Sequence, residues 1–163
     1  MIPLCLIFGD STAVGTAAAL SISGVQCETR ARIGASSSDA LRLATKSLSA
    51  GVVVIALGSN DPRNPKLRRN LEIIRRRTAA PRVVWLAPYN PAASEVVRAV
   101  AVTFGDTVVG LDAFRTRDGV HPVSYRSVAR MVSFPVSSRR STGDWSAPPR
   151  AQPLVRQAVV VTF

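Results

Sequence analysis

Gly51-Val52-Val53-Val54-Ile55-Ala56-Leu57-Gly58-Ser59-Asn60-Asp61 is the stretch that decides the fold. Val52 to Leu57 is a continuous, largely β-branched run of the kind buried on both faces of a parallel sheet, and Gly58 ends it. Working towards the N-terminus, Val25 to Arg32 alternates weakly and reads as a strand. Gly34 and Ala35-Ser36-Ser37-Ser38 then form a loop. Ser38 or Asp39 caps the next helix, which carries Leu41, Leu43, Ala44 and Leu48 on its inner side. Earlier still, the apolar run Leu4 to Phe8 leads into alanine-rich Ala13 to Leu20, a strand followed by a helix. Towards the C-terminus, Asp61-Pro62 and Asn64-Pro65 mark a turn before an arginine-rich helix over Lys66 to Thr78. Arg82 to Ala87 reads as a strand stopped by Pro88, Pro91 to Thr103 as a helix, and Thr107 to Leu111 as a further strand. Pro122 to Val132 reads as the closing helix, with Pro122 in its first turn. Strands alternating with helices of about ten residues predict an α/β fold, a three-layer α/β/α sandwich around a five-stranded parallel sheet.

A chain of 163 residues that is 47% hydrophobic, with mean hydropathy +0.18, is long enough for one core and too apolar to be disordered. Its longest apolar run, Gly51 to Leu57, is too short to span a bilayer, so a soluble protein without a transmembrane segment is expected. The first strand begins almost at Met1 and leaves no room for a signal peptide. This predicts a cytoplasmic location, or a secreted or periplasmic one if a leader has been removed. Cys5 and Cys27 are too few for a disulfide framework, and no Cys/His spacing suits zinc, so no metal is expected. The two cysteines fall on the first two strands, within reach of each other if those strands are neighbours, but buried free thiols are the favoured expectation.

The net charge of +11 favours anionic partners in general, with no specific nucleic acid indicated. Lys66, Arg68, Arg69, Arg75, Arg76 and Arg77 form the one dense basic group. Their spacing around Leu71, Ile73 and Ile74 reads as the wet side of an amphipathic helix in preference to a dedicated anion site. After about Ser133 the periodicity stops. Residues 1–132 form one unit, and 133–163 are a linker-like tail whose apolar end, Ala158-Val159-Val160-Val161, is expected to add an edge strand or to pair with a second copy of the chain.

The chemistry lies in the loops that follow the strands, where open α/β sheets bind ligands. Ser11 follows the first strand, Gly34 the second, Asn60 the third, and Asp118 with His121 the fifth. A serine hydroxyl needs a base to take its proton, and His121 is the chain's only histidine, imidazole being the side chain suited to that task near neutrality. Asp118, three residues earlier, can orient the ring; alternatively it is a turn residue before Gly119. The Asn60 side-chain amide and the backbone N–H groups of Gly34 and Ser11 are the candidate donors to an oxyanion. A glycine-rich phosphate loop is missing after the first strand, which argues against a nucleotide-binding or flavodoxin-like redox role.

Over residues 4 to 132 the chain resembles the SGNH hydrolases, also called GDSL lipases and esterases. Gly9-Asp10-Ser11 is similar to the family's first block, Gly34 to the glycine of its second, Gly58-Ser59-Asn60-Asp61 to its third, and Asp118-Gly119-Val120-His121 to its fifth. Thr12 stands where the nominal motif has leucine, and Ala31-Arg32-Ile33 lacks the asparagine common near the second-block glycine. The resemblance implies a flavodoxin-like SGNH fold, catalysis by Ser11, Asp118 and His121, an oxyanion hole of Ser11, Gly34 and Asn60, and no cofactor. The implied function is a serine esterase acting through an acyl-enzyme on short acyl esters, acetyl above all, of a carbohydrate or cell-wall polymer. The alternative is a basic protein that binds an anionic polymer on an α/β scaffold without catalysis.

Overall fold

In a computed structural model, described here for residues 2–132, strand β4 (Val52–Ala56) occupies the middle of a parallel sheet. It is flanked by β1 (Cys5–Gly9) and β6 (Arg82–Ala87), with β2 (Glu28–Ala31) and β7 (Thr107–Gly110) at the edges, giving the order β2-β1-β4-β6-β7. All four pairings are parallel. Five strands in this order with helices on both faces are the expected three-layer α/β/α sandwich.

The unbroken apolar run of β4 splits by residue parity. Val53 and Ile55 join Leu6, Phe8, Val83 and Trp85 under helices α2 (Ser37–Leu43), α3 (Leu67–Arg76) and α4 (Pro91–Phe104). Val52, Val54 and Ala56 face the other way, with Cys5, Ile7, Val84 and Leu86, under α1 (Ser11–Ile22) and α5 (Tyr125–Met131). A strand buried on both faces has no polar side to display, which is why its sequence does not alternate.

Several local expectations are corrected. The cap of α2 is Ser36, not Ser38 or Asp39: the Ser36 hydroxyl accepts from the Asp39 N–H while the Asp39 carboxylate accepts from the Ser36 N–H, a reciprocal capping box. That helix ends at Leu43, which is 42% exposed and not on the inner side. Leu48 is buried as part of a short strand, β3 (Leu48–Ser49), paired with β5 (Thr78–Ala79). The closing helix begins at Tyr125, not Pro122. Pro122 bridges Thr116, and the Val123 N–H donates to the Arg115 carbonyl at 2.8 Å, so residues just before Tyr125 are held extended by pairing across the loop. Cys5 and Cys27 form a disulfide where free thiols are expected. The β1–β2 register pairs Leu6 with Glu28, and one step back it sets the two cysteines side by side with Cα atoms 4.8 Å apart.

The arginines of α3 are only partly a solvated face. Arg75 lies against buried Asp106, donating from Nε at 2.6 Å and Nη2 at 2.9 Å, while the Trp85 indole N–H donates to the same carboxylate at 2.9 Å. The Arg75 and Arg76 guanidinium groups lie over the Phe104 ring, 5.2 and 5.5 Å from its centre. Arg77 donates to the Leu41 and Ala44 carbonyls at the end of α2, and Arg68 pairs with Glu72. Among the described residues no helix is long and apolar enough to cross a membrane. The expected tail from 133 to 163, with its apolar end, lies outside the described residues.

Candidate active site

The order of the sheet reverses between β1 and β4, and at such a switch point the loops leaving neighbouring strands diverge to opposite faces and open a crevice. The chain leaves β1 through Gly9, whose φ of +144° no other residue adopts readily and where a Cβ would run into the Ala56 carbonyl. The next residue, Asp10, is fully buried and caps α1: its Oδ1 accepts from the Thr12 N–H at 2.8 Å and the Thr12 hydroxyl at 2.7 Å. Burial pushes its carboxyl pKa up, against the lowering effect of Thr12 and of nearby Ser59, although Oδ2 has no partner of good hydrogen-bond geometry. Ser11 is therefore the first residue of α1, half-buried, with a backbone N–H that faces no intrahelical carbonyl.

His121 arrives from the other end of the chain. Its Nε2 lies 2.9 Å from Ser11 Oγ, across 110 positions of sequence, and its Nδ1 lies 2.7 Å from Asp118 Oδ2. An ionised carboxylate can only accept, so Nδ1 carries the proton and Nε2 is free to accept from the serine hydroxyl. Asp118 is held ionised: the His121 backbone N–H, then the His121 ring, then the Val120 N–H place its pKa well below the usual carboxylate range. Both backbone donors reach Asp118 Oδ1, at 2.7 and 2.9 Å. Thr116 completes the loop. Its hydroxyl accepts from the Gly119 N–H at 3.0 Å and lies 2.8 Å from the His121 carbonyl, while Gly119 takes φ +73°. Thus Asp118 is both the turn residue and the partner of His121, two readings the sequence leaves open.

The other two loops meet each other. The Asn60 side-chain amide donates to the Ala35 carbonyl at 3.0 Å, which joins the loop after β4 to the loop holding Gly34 and leaves one Asn60 N–H uncommitted to that bond. Gly34 has φ +75° and stands on the surface with nothing near a Cβ position. Behind them, Asp61 Oδ2 accepts from the Ser37 N–H, the Ser37 hydroxyl and the Asn64 amide at 3.1, 2.5 and 2.8 Å. Asn70, buried in α3, donates to Ser37 and Ser38 at 2.9 and 3.2 Å. Sequence reasoning does not single out Thr116, Ser37 or Asn70. A signal for Asn70 exists, since it interrupts the apolar stripe of Leu67, Leu71 and Ile74.

Beside this arrangement lies a hollow of about 240 Å³, walled by Ser59, Pro88, Tyr89 and Val120. Asp118 and His121 themselves border a second depression of about 300 Å³, with Arg117 on its rim. Among the described residues no group of three or more His, Cys, Asp or Glu side chains comes together to hold a metal ion. The geometry offers a serine hydroxyl, a base within hydrogen-bond reach, and an ionised carboxylate fixing the base, which is the constellation required for nucleophilic attack on a carbonyl.

No protein-family model matches the chain, and no curated protein matches it. Solved structures do. The C-terminal catalytic domain of Streptococcus pneumoniae peptidoglycan O-acetyltransferase A superposes with TM-score 0.54 at 16% identity, covering 80% of this chain and 88% of that one. Est24, a carbohydrate acetylesterase from Sinorhizobium meliloti, gives TM-score 0.54 at 16% identity over 78% of this chain and 97% of its own. A protein from Slackia heliotrinireducens assigned to the SGNH hydrolases gives 0.52 at 15% over 80% and 95%. The likeness is one of fold.

Proposed function

From the premise of an SGNH hydrolase fold, we propose that this chain is a serine esterase that removes short acyl groups, acetyl above all, from a carbohydrate or cell-wall polymer. The observation that carries the proposal is the hydrogen-bonded series Ser11–His121–Asp118 at the switch point of the sheet.

Ser11 Oγ attacks the ester carbonyl as its proton passes to His121 Nε2, and Asp118 stabilises the imidazolium that forms. The carbonyl oxygen becomes an oxyanion, received by the N–H groups of Ser11 and Gly34 and by the Asn60 amide. Collapse expels the alcohol, which takes the proton from His121 and leaves an acyl-Ser11 ester. Water then attacks that ester, giving its proton to His121, and the free acid departs as Ser11 regains its hydrogen. No step needs a group outside the chain and water.

The small hollow between Tyr89 and Val120 favours a short acyl group over a long lipid chain. The names of two structural neighbours, an O-acetyltransferase of peptidoglycan and a carbohydrate acetylesterase, lend the substrate class its support. The competing role, binding an anionic polymer through α3, is disfavoured by the internal commitments of Arg68, Arg75 and Arg77.

The test is hydrolysis of 4-nitrophenyl acetate. Ser11→Ala should lose about 10⁴-fold or more in kcat, as nucleophile removal does in other triad enzymes. Activity equal to that of the unaltered protein would overturn the proposal.

A further inference from the structure

The loops at the carboxyl edge of the sheet are electrostatically one-sided. Each carboxylate they carry next to the serine is already engaged. Asp10 is buried under α1, Asp39 is held by Ser36, Arg32 and Arg42, Asp61 by Ser37 and Asn64, Asp118 by its own loop and His121, and Asp112, exposed after β7, is paired with Arg98. The same loops carry Arg63, Arg115 and Arg117, all exposed, and among the described residues none of these three forms an ion pair with a carboxylate. Asp118 adjoins Arg117 in sequence, but its charge is spent on His121 and two backbone N–H groups.

Arg117 lines the 300 Å³ depression together with Asp118, His121 and Val123. This depression is bordered by His121, the residue that on the esterase reading returns the proton to the leaving alcohol, and it is separate from the hollow walled by Tyr89 and Val120. A guanidinium there is a rigid planar fork whose parallel N–H groups match the two oxygens of a carboxylate. On the reading of the site as an esterase, we propose that the alcohol portion of the substrate is an acidic saccharide, and that Arg117 takes its carboxylate while His121 serves the ester. Arg63 and Arg115 extend the positive field along the edge and draw in a polyanionic chain before any one sugar is seated.

The experiment compares two acetylated polymers that differ in charge, acetylated polygalacturonate and acetylated xylan, with the full-length protein at about 20 mM and about 200 mM salt. Preference for the acidic polymer should be about tenfold in kcat/KM at low salt, reside in KM, and shrink at high salt. Arg117→Ala should remove most of that preference and Arg117→Lys should keep part of it. Arg82→Ala, which removes an equal charge at the amino end of β6, should leave the preference intact. Equal KM for the two polymers, or an undiminished preference in Arg117→Ala, would overturn the inference. Ser11→Ala separates the two levels: if it is inactive while both polymers are turned over alike by the unaltered protein, the esterase reading stands and only the acidic substrate falls. If Ser11→Ala remains active, both fall.

Discussion

Gly15→Ala should damage turnover far more than stability. Gly15 lies one helical turn after Ser11 on the same face of α1, and the ring of Tyr125 rests in the space its missing side chain leaves. A Cβ at this position would stand 2.5 Å from Cε2 and 2.7 Å from Cε1 of that ring, and closer still to Cζ. Carbon atoms in ordinary contact are about 3.5–4.0 Å apart, so the ring must withdraw by roughly 1 Å. Tyr125 opens α5, four residues after His121, so the displacement is passed to the 2.9 Å contact between His121 Nε2 and Ser11 Oγ. A misplacement of about 1 Å at a reacting group costs on the order of 10²-fold in rate. Overpacking costs about 1–3 kcal/mol, and replacing glycine by alanine within a helix returns about 1 kcal/mol, so the net loss of stability is about 0–2 kcal/mol. Steady-state hydrolysis of 4-nitrophenyl acetate beside a urea unfolding curve reads both quantities. A kcat within twofold of the unaltered protein, at unchanged KM, would refute the reasoning. In a Tyr125→Ala background the same substitution should not lower kcat further, because no ring remains to displace, and should raise stability by about 1 kcal/mol through helix propensity alone.

Asn60→Ala should lower kcat by about 10²–10³ with KM little changed, the signature of a donor that acts on the developing oxyanion; an equal rise in KM would instead mark ground-state binding. Burial pushes the Tyr125 phenol up to about 12 from an ordinary value of 10.0. With the folded value raised, the contribution of the neutral phenol is complete below pH 10.0 and is lost as pH rises towards 12, because the unfolded chain ionises first. Unfolding curves across that window should show stability falling, and Tyr125→Phe should flatten the decline. Reduction of the Cys5–Cys27 disulfide, which closes a loop of separation 22, should cost about 3 kcal/mol in chemical unfolding, and Cys27→Ala should make the protein indifferent to reductant.

The sheet was legible wherever a strand is buried on both faces, since Val52 to Leu57 and Arg82 to Ala87 admit few other readings. The order of motifs along the chain likewise sets Ser11, Asp118 and His121 after strands that share one sheet edge, where their side chains meet. What sequence could not supply were relations set by neighbours. Leu48 has the right period for the helix before it, yet pairing with Thr78 draws it into a strand. Pro122 suits a first helical turn, yet the bridge to Thr116 keeps it extended. Arg75 looks like any solvated arginine until Asp106, distant in sequence, proves to be its buried partner. Gly15 shows no turn or motif at all, and its meaning appears only with Tyr125 against it. Intrinsic preference is a weak term beside tertiary packing, so positions whose local and tertiary signals conflict are the ones misread.

The loop from Thr116 to His121 is assembled by hydrogen bonds among its own residues, whereas among the described residues its link to Ser11 is one long-range hydrogen bond carried by the docking of α5 on α1. The acid and base halves can therefore stay correctly arranged while being useless. Partial opening of that helix pair, well below the free energy of melting the sheet, uncouples His121 from Ser11 without disordering either. On the proposed esterase function, hydrolysis would disappear on heating ahead of the far-ultraviolet circular dichroism signal, making turnover a more sensitive gauge of the last packing step than any spectroscopic measure of secondary structure.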